Sequence, residues 1–123
     1  MVVGAHLRGE PLNHQLTDLG ATFVEGTRTL QEYRLFALTG TTPPKPGLVR
    51  VAEGGASIEV ERLRLPTSKV GSFLAQVPSP LCIGAVRVAD GSTLHGFLCE
   101  PKAIEGSIDI THFGGWRAYR GST

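Results

Sequence analysis

The residue pattern predicts an α+β chain in which a strongly curved or closed mixed β-sheet of about six strands dominates and one or two short helices are subordinate. Three observations carry this. Apolar residues mostly alternate with polar ones instead of recurring at helical spacing, which is the strand signature. The 123 residues include 16 Gly and 8 Pro, so the chain turns often and its elements are short. Only one stretch, residues 67–77, carries the three-and-four spacing of an amphipathic helix before prolines stop it.

In chain order, MVVGA (1–5) opens as a buried strand. GATFVEGT (20–27) and EYRLFAL (32–38) read as a pair of strands, with Phe23, Tyr33, Leu35 and Ala37 on alternating positions. Three prolines within residues 43–46 preclude a helix and predict a stiff, extended loop ending at Gly47, suited to walling a pocket. Residues 48–66 read as two strands around the turn Glu53-Gly54-Gly55, with a break in alternation at Arg62 that suggests a bulge. The helix of 67–77 takes Thr67 or Ser68 as its N-cap and presents Val70, Phe73, Leu74 and Val77 on one face. CIGAVRVADGSTLHGFLCE (82–100) is a hairpin around Asp90-Gly91, a dipeptide that tolerates the positive φ of tight turns. In the tail, Asp109 or Thr111 caps a short turn, Gly114-Gly115 interrupts it, and Phe113, Trp116 and Tyr119 pack back on the body as a clasp.

This length is that of one domain spanning 1–123, with enough apolar residues (41%) for an ordinary core. Twelve Lys and Arg against eleven Asp and Glu, spread along the chain, argue against nucleic acid as a partner. The start lacks a signal-peptide pattern and no stretch reaches the roughly 18 apolar residues of a membrane span, so no membrane partner and a cytoplasmic location are expected. Cys82 and Cys99 fall in apolar runs that read as buried strands and should be reduced core residues. Neither the cysteines nor the four histidines have metal-ligand spacing, and no metal or cofactor is expected. A GxSxG elbow, a Walker loop and a GxGxxG fingerprint are all missing from the sequence.

Three loops remain as carriers of chemistry. In Gly4-Ala5-His6-Leu7-Arg8 an apolar segment runs into a loop whose glycine admits close approach and whose amides can converge on a carboxylate. His6 and Arg8 add donors there, and His6 titrates nearest neutrality; the bland alternative is a turn glycine and a hydrogen-bonded loop histidine. Asn13, with His14 and Gln15 beside it, either braces that loop or faces a ligand. Lys45-Pro46-Gly47 closes the proline loop, where Lys45 either neutralises an acid or is solvated. Glu59 and Glu61 lie two apart on one strand face and read as solvated.

The runs VVGAHLRGEPLNHQL (2–16), TTPPKPGLVRVAEGGASIEVE (41–61) and DITHFGGWRAY (109–119) together resemble the C-terminal domain of allophanate hydrolases, nearly end to end. That domain is similar in fold to γ-glutamylcyclotransferases, whose opening strand ends in a Tyr-Gly-Ser-Leu-like loop that holds the substrate's carboxylate. Gly4, Ala5, His6 and Leu7 take the place of that loop. The resemblance implies a site formed by Gly4, Ala5, His6, Leu7, Arg8, Asn13, Lys45, Pro46 and Gly47, a small carboxylated amide or carbamate as ligand, and decarboxylation of N-carboxycarbamate in urea and allophanate nitrogen metabolism. His6 would be its catalytic residue. The acid-base Glu of the cyclotransferases has no counterpart in LAQVPSPLCIG (74–84), and the amidase domain of allophanate hydrolase lies outside this chain. Two alternatives follow. One is a non-catalytic module that forms a homodimer or docks on a separate amidase, with the tail aromatics as its interface. The other is a γ-glutamyl-amine cyclotransferase that recruits Glu59 or Glu61.

Overall fold

The computed structural model describes residues 1–122. Its elements are α1 (His14–Thr17), β1 (Thr22–Arg28), β2 (Tyr33–Ala37), β3 (Pro46–Arg50), β4 (Glu59–Arg64), α2 (Val70–Leu74), β5 (Leu81–Arg87), β6 (Thr93–Cys99), β7 (Ile108–Asp109) and α3 (Trp116–Gly121), with 3₁₀ turns at Thr67–Lys69, Pro101–Ile104 and Thr111–Phe113. The strands pair as β1 with β4, β3 with β2 and β7, and β5 with β6, all antiparallel. The class is α+β, as the residue pattern predicts. The sheet, however, is three small sheets joined by single bridges and one buried core.

The 82–100 hairpin forms with Ala85 opposite His95 and Gly91 at φ +87°, inside a Val88–Ser92 loop closed by the Asp90 carboxylate on Ser92. The expected pairing of residues 20–27 with 32–38 does not form. Thr-Leu-Gln-Glu (29–32) offers no reversing residue, so the chain runs on to the hairpin base, where Leu30 N donates to Arg87 O and Thr29 bridges Val88. The expected hairpin around Glu53–Gly55 is also absent. Gly55 lies so close to the Glu32–Tyr33 backbone that a Cβ there would fall 2.6 Å from the Glu32 carbonyl carbon, and the chain crosses β2 to reach β1. The bulge anticipated at Arg62 is real, but the extra residue is Val24 on the facing strand, between the pairs Phe23–Leu63 and Glu25–Arg62.

Residues 1–5 do not form a strand. Val2 makes one bridge to Glu61 and Met1 O accepts from Phe97 N, so the segment is a buried wedge between β4 and β6. Tyr33, Leu35, Leu48, Ile58, Val60, Val86 and Ile110 are essentially inaccessible. Burying each such apolar side chain stabilises the fold by about 1.5–3 kcal/mol. Neither Thr67 nor Ser68 caps α2, whose N-cap position is Lys69, and of its predicted apolar face Phe73 is buried while Val70 and Leu74 are exposed. Cys82 is exposed, contrary to expectation, because Leu81 and not Cys82 is the buried residue at the start of β5; Cys99 is buried. The tail does form the clasp. Asp109 accepts from Thr111 N, Trp116 is 2% exposed, and Tyr119 meets Phe113 and Trp116 at 5.4 and 5.5 Å between centroids. No helix of the described residues is long and apolar enough to cross a membrane.

Candidate functional site

The segment Gly4–His6 is a loop whose carbonyls are all engaged and whose amides are not. Gly4 O accepts from Leu7 N (3.0 Å), Ala5 O from Leu12 N (2.8 Å) and His6 O from Asn13 Nδ2 (3.0 Å). The amides of Gly4, Ala5 and His6 have no acceptor among the described residues. Successive amides freed in this way make an anion-binding concavity. They border a recess lined by Val3, Gly4, Ala5, His6, Lys45, Pro46, Leu81 and Phe97. It offers about 10 Å³ to the centre of a water-sized group, room for a water or one carboxylate oxygen, so the rest of a ligand would lie along its mouth.

Lys45 belongs to this wall. It is buried, against the solvated alternative, its own amide is held by Thr41 Oγ1 (3.0 Å), and its Nζ has no acceptor among the described residues. Since no fully sealed side-chain polar atom among the described residues lacks a partner, that ammonium keeps contact with solvent, and Lys45 is one of the residues that line the recess. Pro46 lies against Gly4 so closely that a Cβ there would fall 2.2 Å from Pro46 Cδ.

His6 is buried, stacked on Phe97 (centroids 4.6 Å, 21°) and edge-on to Phe73 (5.7 Å). Its Nε2 sits 2.7 Å from Gln15 Oε1, which assigns the proton of the neutral ring to Nε2 and leaves the Nδ1 lone pair without a partner among the described residues. Burial is the main reason its pKa lies below the ordinary value; the Gln15 bond opposes the shift, and the charges of Lys45 and His14 add to it. His6 is therefore neutral near pH 7 in the free protein.

The remaining predicted residues separate into roles. Asn13 braces His6 O from behind the loop, the first of its two expected roles. Leu7 is fully buried in the core and does not line the recess, so its part in the site is structural. Gly47 also lies outside the lining, packed beside Cys99 and Leu38. Arg8 turns away to Glu61 (Nε–Oε2 3.2 Å) and over the Phe23 ring, so its side chain does not reach the recess. His14 is exposed and bonded to Pro11 O.

Glu61 overturns the solvated reading. Its side chain is 3% exposed and takes hydrogen bonds from Arg8 N (2.8 Å), Arg8 Nε and Arg117 Nη2 (3.2 Å each). Burial pushes its carboxyl up, but the Arg8 bonds and the Arg117 charge outweigh burial and hold it below the ordinary carboxylate value. Val3, Leu81 and Phe97 also line the recess and Phe73 packs against the His6 ring; the sequence left all four unassigned to the site, because their apolar spacing marks them as core and nothing more. No group of three or more His, Cys, Asp or Glu among the described residues could hold a metal ion. A larger groove of about 380 Å³, lined among others by Val24, Leu65, Val70, Leu74 and Ile83, shares only Phe97 with the recess.

These features define a small α+β domain with a narrow recess bordered by a loop of free amides and a neutral histidine. The family model of the allophanate hydrolase C-terminal domain matches residues 1–121, and the chain belongs to that family. It is 44% identical to the urea amidolyase of Saccharomyces cerevisiae over 122 residues, 96% of this chain but 7% of that protein. The allophanate hydrolase structure from Kluyveromyces lactis superposes with a TM-score of 0.95 at 42% identity, over 98% of this chain and 20% of that one. A solved protein specific to uropathogenic E. coli is similar over 99% of this chain and 94% of its own, with a TM-score of 0.91 and 38% identity. The chain thus spans a small fraction of the curated relatives it matches.

Proposed function

We propose that this domain binds a small carboxylated amide or carbamate through the amides of Gly4, Ala5 and His6 and the ammonium of Lys45, and promotes decarboxylation of N-carboxycarbamate in urea and allophanate nitrogen metabolism. One observation carries the reading: the amides of Gly4, Ala5 and His6 and the side chain of Lys45 have no acceptor among the described residues, and all four residues line one recess. The chemistry balances simply. One C–N bond breaks, its electron pair stays on nitrogen, carbon dioxide leaves, and one proton added to that nitrogen yields carbamate.

Neutral His6 has no proton at Nδ1 to give, but a bound dianion beside the ring favours the imidazolium, opposing the burial that disfavors it. Binding of the substrate then draws one proton from solvent onto Nδ1, and His6 donates that proton to the departing nitrogen. Malonate, a stable dicarboxylate of similar shape, should bind with uptake of a proton at pH values between the free and bound pKa of His6. Calorimetry in two buffers of different ionisation heat measures this. His6→Ala should abolish both the uptake and, in single-turnover assays, carbon dioxide release from N-carboxycarbamate; full activity in that variant refutes the role given to His6.

A second reading, docking on an amidase region such as the relatives' names imply, is favoured by the groove at Val24, Val70 and Leu74, whose side chains are 40–45% exposed. The tail aromatics do not serve it, since Trp116 is in the core. Val70→Asp should weaken association with a separately expressed amidase while leaving malonate binding intact.

A further inference from the structure

We propose that Glu61 is the positioning residue of the carboxylate site, clamping both ends of the Val2–Arg8 segment so that the Gly4, Ala5 and His6 amides are held open to an anion. This rests on the reading that those amides bind a carboxylate. Glu61 touches the segment twice. Its backbone exchanges hydrogen bonds with Val2, 2.9 Å each way, and its Oε1 accepts the Arg8 amide at 2.8 Å. One residue of β4 therefore fixes the distance between residues 2 and 8, and the loop must arch between two held points.

The carboxylate also decides which amides are free. Leu7 N, the next donor after His6 N, is taken by Gly4 O, and the one after it, Arg8 N, is taken by Glu61. The donors left over between residues 2 and 8 are the amides of Val3, Gly4, Ala5 and His6, residues that all border the recess. Glu61 itself lies in a separate shallow depression with Arg8, Arg28, Glu59 and Arg117, and does not line the recess. Its charge is met by Arg8 and Arg117, so the clamp sets no bare negative charge beside an anion site. Arg117 adds a second tie: its Nη2 donates to Arg8 O at 2.7 Å and Nη1 to Glu59 at 3.1 Å, which connects α3 to the loop.

The test separates an acceptor clamp from a charge. Glu61→Leu removes the acceptor, whereas Glu61→Gln keeps an oxygen for the Arg8 amide and sheds the charge. Backbone ¹⁵N order parameters of residues 4–8 are read without ligand, and malonate affinity is read by calorimetry and by shifts of the Gly4, Ala5 and His6 amides. In Glu61→Leu the order parameters should fall from about 0.85 to below about 0.6, and malonate should bind roughly tenfold more weakly. Glu61→Gln should stay within about threefold of wild type, since a neutral acceptor retains most of one hydrogen bond. A folded Glu61→Leu with wild-type order parameters and affinity overturns the proposal. So does a Glu61→Gln as weak as tenfold, which would assign the effect to charge; that variant alone decides if Glu61→Leu does not fold. Failure of malonate to shift the three amides in wild type would refute the carboxylate reading instead, and the order parameters would still judge the clamp.

Discussion

Gly4→Ala perturbs the recess with the smallest possible addition. A Cβ on Gly4 would lie 2.2 Å from Pro46 Cδ and 2.4 Å from Cγ, whereas ordinary contact begins at 3.4 Å, so something must move by more than 1 Å. Pro46 has no rotamer to escape into, its backbone is paired to Ala37, and the preceding residue is tied to Thr41. Gly4 is held on its side by Leu7 N and by the Val2–Glu61 bridge. The cost should therefore sit near the upper end of overpacking, about 3 kcal/mol. For a chain of this size that lowers the melting temperature by roughly 10 °C, at about 3–4 °C per kcal/mol. Thermal unfolding followed by circular dichroism measures it, with Gly71→Ala as contrast: a Cβ there meets nothing within 4 Å, and the exposed helical site should gain up to about 1 kcal/mol. Malonate binding should be lost in Gly4→Ala, because Lys45 moves with Pro46. A Gly4→Ala protein melting within 2 °C of wild type would show that the wall yields, and would refute the rigid recess on which the proposed chemistry depends.

Three further outcomes follow from burial and charge. Iodoacetamide at pH 8 should modify one cysteine in the native protein and two in guanidinium, since Cys82 is exposed whereas burial, with Cys82 and Glu100 nearby, pushes the Cys99 thiol up to about 11; two native adducts by intact mass would contradict this. Glu61 and Asp109 both have native pKa values below their ordinary ones, despite burial, because of hydrogen bonds and arginine partners. Their contribution is fully present above the unfolded values of about 4.3 and 3.9 and is lost as pH falls through the lower native values, so urea midpoints should drop below about pH 4.5 and, in Glu61→Gln, drop less steeply. Trp116→Ala should cost about 3–5 kcal/mol, read from urea unfolding, and a chain cut after Ile108 should not hold the native fold.

What was legible in the sequence was local. The 82–100 hairpin could be read because its turn residues sit between two alternating runs, and Asn13 could be read as a brace because its acceptor, His6 O, is seven residues away. The pairings of β1 with β4 and of β2 with β3 were not legible in the same way. They depend on chain crossings at Thr29–Glu32 and Gly54–Gly55, where the decisive contacts are backbone to backbone and leave no periodic trace. The recess was half legible. Gly4-Ala5-His6 and Lys45-Pro46 announce themselves as loops fit for close approach, but Glu61 reaches Arg8 across 53 residues and Arg117 reaches Arg8 across 109. Two alternating glutamates on a strand look solvated until the arginines that bury one of them are placed.

That placement also weighs between the two enzymatic readings. A cyclotransferase needs a proton carrier within hydrogen-bond reach of the reacting amine, a role that the resemblance to the cyclotransferases gives to a glutamate. Among the described residues no Asp or Glu lines the recess, and the two glutamates that might be recruited lie in the depression shared with Arg8 and Arg117. Glu61 there accepts three hydrogen bonds and has a lowered pKa, the reverse of what a proton carrier near neutrality requires. Glu59 is bound to Arg117 on the same side. The recess is bordered instead by His6, neutral in the free protein, and by Lys45, whose Nζ has no acceptor among the described residues. Such a pair suits a reaction in which a doubly charged substrate loses a neutral fragment and one proton must reach the remaining nitrogen. It suits less well one in which a base must first strip a proton from a substrate ammonium, because the Lys45 charge would repel that group.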